Sequence, residues 1–327
     1  MEFPNNEMFT FAVARIRAKE TSLLSDQALT NLLACRTYEE CFQSLVDKGW
    51  GPANDTSIEE LLTTESEKTW SLMRELFDEK QMCAFDIFRY VSDFHNLKAA
   101  IKEAYIRKEV PNVYKKNGTV PVETIRKCAA ENEFAKLPDY LEVCGREARE
   151  VLFQSGDPQL CDIIIDRASL KMTYDVGNES GNELLAKYAE LKCAAANINI
   201  AVRACRTKKD NTFLERAFVP CKSLNIQTLI SAARNGEESI YEYLEKTDYS
   251  DAVPALKAGG AAFDKWCDDR MIKLIKPEKY NAFTISPVIA YMIARENEIK
   301  SVRIILSGKA NELPEEKIKE RVRISYV

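Results

Sequence analysis

Few groups in this sequence are equipped for catalysis. His95 is the only histidine in 327 residues, so Ser-His-Asp or Cys-His chemistry has one residue to turn to. A di-metal site built on paired Glu-x-x-His needs two histidines and is excluded. His95 lies inside an amphipathic stripe, and we read it as helix-packing rather than catalytic. Asp162 with Asp166 and Asp264 with Asp268 are each four residues apart, which on a helix puts both carboxylates on one face. Such a pair can ligate a hard cation or divide the roles of acid and base. Bases flank both pairs, Arg167 and Lys171 at the first, Lys265, Arg270 and Lys273 at the second. Surface or inter-helix ion pairs are therefore the preferred reading. Neither G-x-x-x-x-G-K-[ST] nor G-x-G-x-x-G occurs, so the chain is not the nucleotide-hydrolysing part of anything built on those motifs. No catalytic, cofactor-binding or metal-ligating residue is assigned, and no cofactor is expected.

Ten cysteines run from Cys35 to Cys267 without a C-x-x-C pair or closely spaced framework, and we read them as small buried apolar residues in a reducing cytoplasm. Hydrophobic residues make up 46% and charged residues 30% of the chain, a globular composition with enough apolar surface for a core. The formal net charge of -5 gives no basic excess to attract nucleic acid or anionic lipid, so protein partners are expected. Met1–Thr10 has no basic and apolar leader, and no apolar run approaches the roughly 18 residues of a spanning helix. The expectation is a soluble protein whose membrane association goes through a partner.

The elements that would position these groups are helices. Glycine and proline number only 11 each, few for a fold built on tight β-turns. From Asp86 to Lys108, Ile87, Tyr90, Val91, Phe94, Leu97, Ile101 and Ala104 recur at spacings of three and four, the stripe of an amphipathic helix about 35 Å long. Comparable stretches run from Asn182 to Lys208 and from Pro287 to Ser307. Thr37 with Glu40 and Ser57 with Glu60 fit a capping box, and Ser286-Pro287 fits an N-cap followed by an N1 proline. Pro314-Glu315-Glu316 followed by Lys317, Lys319, Arg321 and Arg323 suits a last helix and its dipole. Breaks are expected at Pro111–Gly118, Asp175–Asn182, Thr207–Thr212 and Ala258–Gly260, and no stretch alternates long enough for a strand.

The three long helices repeat one another. Asn96-Leu97-Lys98, Asn197-Ile198-Asn199 and Glu298-Ile299-Lys300 recur at 101-residue intervals (96, 197, 298). Small apolar Ala100, Ala201 and Val302 follow in the same phase, then basic Arg107, Lys208 and Lys309 where each helix should end. Those bases suit the helix dipole; a basic rim meeting an acidic partner is the functional alternative. The block from Leu160 (LCDIIIDRASLK) overlays that from Ala262 (AFDKWCDDRMIK), and more loosely that from Leu32 (LLACRTYEECFQSL) resembles that from Leu229 (LISAARNGEESIYEYL). A period near 100 residues holds four or five helices, a small domain rather than a solenoid unit of 33 to 47 residues or so. The expected division is 1–110, 111–211 and 212–327, three helical repeats, the last with a C-terminal helix.

Phe263 to Lys309 resembles the closing block of the C subunit of V/A-type rotary ATPases, whose eukaryotic counterpart is the d subunit; its most specific part runs from Ala290-Tyr291 through Ala294-Arg295-Glu296-Asn297-Glu298-Ile299-Lys300 to Arg303-Ile304-Ile305-Leu306. Phe11-Ala12-Val13-Ala14-Arg15-Ile16-Arg17-Ala18 with Leu23-Leu24-Ser25 resembles the family's opening helix. His95-Asn96-Leu97-Lys98 and Ala196-Asn197-Ile198 with Val202-Arg203-Ala204 take the corresponding places between. The resemblance implies an all-α fold of three similar domains around a pseudo-threefold axis, a funnel receiving the rotating shaft and seated on the membrane rotor ring. It implies a non-catalytic central-stalk coupler for H+ or Na+ transport, one copy per complex, peripheral at the cytoplasmic face of the membrane and a monomer in isolation. The middle repeat departs from the pattern, with Ala194-Ala195 where the first has Asp93 and Asn199 where it has a lysine.

Two other readings stand beside this one. The repeat alone suits an all-helical adaptor unrelated to ion transport, and the aspartate pairs alone suit a helical metal-dependent enzyme.

Overall fold

A computed structural model describes residues 9–51, 57–209 and 211–327. Residues 1–8 of the Met1–Thr10 opening, and residue 210 of the expected 207–212 break, lie outside the described residues. Among them the chain is helical, with no strand. In order the helices are α1 (Thr10–Glu20), α2 (Asp26–Ala34), α3 (Tyr38–Asp47), α4 (Ile58–Leu76), α5 (Glu79–Met82), α6 (Asp86–Ile106), α7 (Val122–Glu131), α8 (Asp139–Ser155) and α9 (Pro158–Glu179). There follow α10 (Glu183–Arg206), α11 (Asn211–Ala217), α12 (Ile226–Asn235), α13 (Glu237–Leu244), α14 (Val253–Ala258), α15 (Gly260–Ile275), α16 (Ser286–Ala310) and α17 (Glu315–Lys319).

Local chemistry accounts for most boundaries. Ser57 and Glu60 form a complete capping box at the start of α4. At α3 the Thr37 hydroxyl caps Glu40 N–H, but the Glu40 carboxylate reaches one residue further back, to Arg36 N–H at 2.7 Å. Ser286 is not the N-cap of α16: Ile285 is, and Ser286 and Pro287 already belong to the first turn. The expected break over Asp175–Asn182 shrinks to Ser180–Asn182, because α9 continues through Glu179. Gly177 is there for packing, since a Cβ would come within 2.4 Å of the Ala189 methyl and 2.8 Å of the Leu185 carbonyl. The turn itself is made by Gly181, at φ +69°.

The described residues form two compact units, one within Cys83–Ser250 and one combining those of 9–82 with Asp251–Val327. In the first, α6 packs against α7, α8 and α9, with Leu97, Ile101, Ile125, Leu141, Leu152 and Ile165 at its centre. Helix α10 packs on α9, α11, α12 and α13. In the second unit, α16 packs against α1, α2, α3, α4, α15 and α17, around a core that includes Leu32, Leu45, Leu61, Val302 and Ile305. Each such side chain contributes roughly 1.5–3 kcal/mol on burial. The first ten residues of α16, Ser286–Arg295, are buried all round, the property of a core helix rather than a surface one.

The small residues of the repeated phase, Ala100, Ala201 and Val302, are all buried. The loosely matching blocks at Leu32 and Leu229 both prove to be helix, break, helix: α2 to α3 and α12 to α13. The blocks at Leu160 and Ala262 fall in α9 and α15.

Candidate functional site

After α6 the chain does not enter the next helix directly. It runs back along the helix it has just left, and side chains of α6 fasten it there as a strap. Asn96, fully buried, donates to Lys115 O and accepts from Lys115 N–H, both at 2.8 Å. His95 Nε2 lies 2.8 Å from Val113 O. Burial pushes the His95 imidazole below its usual value, so the neutral ring donates to that carbonyl. Asp93 accepts from Thr119 N–H (2.9 Å), Val120 N–H (3.1 Å), Thr119 Oγ1 (2.6 Å) and Tyr140 Oη (3.0 Å). Gly118 lets the strap come this close, since a Cβ there would sit 2.1 Å from Asp93 Oδ1. Further along, Glu103 takes the Val110 N–H, Arg126 and the Tyr114 hydroxyl. Burial works against its ionisation, but these donors hold its carboxyl below the usual range.

The same fastening recurs along α10. Asn197, also fully buried, donates to Val219 O at 2.9 Å and accepts from Val219 N–H at 3.1 Å. The acid missing at Ala194-Ala195 lies one turn earlier: Glu190 accepts from Lys222 N–H and Ser223 N–H, each at 2.8 Å, and from the Ser223 hydroxyl at 2.5 Å. Ser223 in turn contacts Tyr249 Oη at 2.8 Å, as Thr119 contacts Tyr140 at 2.7 Å. Carboxylate, hydroxyl and tyrosine thus form the same network in both places. The weak middle repeat keeps the role and moves the residue. Sequence reading misses Glu190 because a fixed 101-residue offset points to Ala194; an acid one turn back on the same face is the available signal.

A third strap lies against α16, and here both ends of the chain supply it. Asn297 donates to Ile324 O at 3.1 Å, one residue earlier than the 101-residue spacing places the equivalent position. Glu298, the residue at that spacing, accepts Leu24 N–H from the N-terminal segment. Ser325 N–H donates to Asp26 at 2.8 Å, and the Ser325 hydroxyl to Leu24 O at 2.6 Å. Helix α2 therefore follows this strap in space as α7 and α12 follow theirs in sequence.

The residues most specific to the resemblance are fasteners too. Arg295 bridges Glu65 at 2.6 Å and Glu298, with its guanidinium 5.0 Å from the Trp50 ring centroid. Lys68 is a second partner of Glu65, at 2.7 Å. Burial pushes the Glu298 carboxyl up despite Arg295 and the Leu24 N–H.

Three of the four aspartates are engaged in ion pairs with other elements, though not with the neighbours expected. Lys102 meets Asp162 at 2.6 Å and Lys98 meets Asp166 at 2.7 Å, joining α6 to α9. Arg167 and Lys171 look elsewhere, to Phe218 O and Asp175. Asp268 is held by Lys300 and Arg323, each at 2.9 Å, while Asp264 is exposed. Among the described residues no three His, Cys, Asp or Glu side chains gather as metal ligands would. Arg107 and Lys208 are exposed and end their helices in left-handed conformation, φ 53° and 51°. Lys309 instead reaches Leu33 O and Cys35 O at 2.6 and 2.5 Å, capping the end of α2. All ten cysteines are free thiols and none is exposed; burial pushes Cys41, Cys144 and Cys193 up to about 12, a state of poor nucleophiles. The described helices include none long and apolar enough to cross a membrane.

Comparison with known proteins agrees across nearly the whole length. The family model described as ATP synthase (C/AC39) subunit matches residues 12–321. The C subunit of the V-type sodium ATPase of Enterococcus hirae is 24% identical over 319 residues, covering 95% of this chain and 97% of the relative. The C subunit of the A-type ATP synthase of Pyrococcus furiosus is 23% identical over 338 residues, covering 96% and 90%. That of Methanocaldococcus jannaschii is 20% identical, covering 95% and 85%.

Proposed function

The chain belongs to the ATP synthase (C/AC39) subunit family, and from that premise we propose that it serves as the C subunit of a V/A-type rotary ATPase, coupling the central shaft to the membrane rotor ring. The observation that carries this reading is the family match from residue 12 to residue 321. In this role the protein has no catalytic site of its own. It transmits torque between ATP turnover in the head and H+ or Na+ movement in the membrane, from the cytoplasmic face and as one copy per complex.

Torque transmission asks for rigidity, and the strap geometry suits it. Along α6, α10 and α16 a returning segment is bonded through backbone N–H and C=O groups to a buried asparagine or carboxylate. At Asn96, Asn197 and Asp93 the side chains are buried and bonded to backbone, so slipping by a residue would orphan several buried groups at once. We propose that the three strapped modules, divided near 110/111 and 211/212, close around a pseudo-threefold axis to form the socket for the shaft.

The test is capture of partners. Tagged chain added to detergent-solubilised membranes of its source should co-purify with the shaft and ring subunits, identified by mass spectrometry. Capture of neither from membranes that contain an assembled rotary ATPase would refute the reading.

A further inference from the structure

The connection between α15 and α16 presents an arrangement that the strap network does not use. Tyr280 is 91% exposed and Phe283 69%; among the described aromatic residues only Phe11, at 73%, is comparably exposed. Exposed aromatics on a loose loop would mean little, but this loop is fixed on both sides of Tyr280. Arg17 donates to Glu278 O at 2.9 Å, Asn281 N–H donates to the same carbonyl at 3.1 Å, and the Asn281 amide reaches the Glu278 carboxylate at 3.1 Å. The Lys279 ammonium sits 4.5 Å from the centroid of Tyr326, itself buried. Lys279 and Asn281 are thus anchored while the ring between them faces outward. That is preorganisation, which lowers the entropic cost of binding. The α9–α10 connection, Ser180–Asn182, is three residues long and carries no aromatic.

Charge narrows the occupant. From Arg270 to Thr284 the sequence carries Arg270, Lys273, Lys276 and Lys279 against one acid, Glu278, in a chain of net charge -5. Arg270 is paired with Asp251 and Lys279 faces Tyr326. Lys273 and Lys276 make no ion pair among the described residues, and Lys273 is exposed. Two exposed aromatic rings and two ammonium groups without an ion pair, all within residues 273–283, match an apolar cleft with a carboxylate rim.

We propose that the Lys276–Thr284 loop is a docking element: Tyr280 and Phe283 enter an apolar cleft of a protein subunit of the same rotary complex, and carboxylates at its rim meet Lys273 and Lys276. The inference rests on the functional reading above, and its test separates the two. Tagged full-length chain, wild type and Y280A/F283A, is added to solubilised membranes lacking their own copy, and each captured subunit is quantified. Both rings stand clear of the core, so circular dichroism and thermal unfolding of the variant should match the wild type. Loss of two interface anchors is expected to weaken capture of one subunit by about 30-fold or more. K273E/K276E should weaken it further at low salt than at high salt. Equal capture by wild type and Y280A/F283A overturns the docking loop and leaves the functional reading intact. Capture of nothing by the wild type overturns both. Sedimentation with equimolar phosphatidylglycerol and phosphatidylcholine vesicles, dependent on Tyr280 and Phe283, would make the occupant a lipid surface and also overturn the proposal.

Discussion

Replacing Asn197 with alanine isolates the strap from every other feature of the fold. The side chain is fully buried and holds Val219 through both its backbone groups, at 2.9 and 3.1 Å. Val219 is itself 1% exposed, so water cannot readily replace the amide. Each orphaned group costs about 1–3 kcal/mol, and partial relaxation brings the pair to about 3 kcal/mol. A tenfold change corresponds to about 1.4 kcal/mol, so the Val219 amide should exchange about a hundredfold faster. Local exchange is the right assay because the chain has two compact units, and a single global unfolding midpoint would mix them. Asn199→Ala, two residues along the same helix at a half-buried site with no hydrogen bond from its side chain among the described residues, is the control and should stay within about 0.5 kcal/mol. If Asn197→Ala also changes exchange at Val219 by less than threefold, the strap is not held by its asparagine and the argument fails.

Three further outcomes follow from the same geometry. His95 is half-buried and its pKa is lowered, chiefly by burial, so the unfolded chain binds a proton before the folded one as pH falls. Stability should decline as pH drops from about 6.5 toward the lower folded value, and H95Q should remove that slope; an NMR titration of the single histidine at or above 6.5 would contradict this. Gly118→Ala should cost about 1–3 kcal/mol, because Asp93 cannot step aside without releasing Thr119, Val120 and Tyr140; it is read from amide exchange at residues 119 and 120. Arg295→Met leaves Glu298 buried without its cation, and about 3–5 kcal/mol of destabilisation is expected in the unit that contains α16, read from amide exchange along α16.

The long helices are legible in the sequence because their apolar spacing and terminal caps act locally, and a repeat of 101 residues survives in the residues that face the core. The straps are not legible in the same way. A buried asparagine bonded to backbone leaves no pattern at its partner, since Lys115, Val219 and Ile324 contribute only N–H and C=O groups. The offset also misleads: the acid of the middle module moves one turn back to Glu190, and the third strap divides its fastening between Asn297 and Glu298 because two chain ends meet there. The Asp175–Asn182 stretch reads as a break since glycine and asparagine disfavour helix, yet the close approach of α10 requires Gly177 inside it. Asp162, Asp166 and Asp268 are legible as ion-pairing residues, but their partners Lys98, Lys102, Lys300 and Arg323 come from other elements, and Asp264 stays exposed.

Coupling itself can be measured directly. Membranes carrying the rotary ATPase, stripped of this protein and then supplied with purified chain, are assayed for ATP hydrolysis and ATP-driven ion uptake together. The account predicts that ion uptake is absent without the chain and returns on its addition, while the stripped head still hydrolyses ATP. Ion uptake that is the same with and without the chain would contradict it.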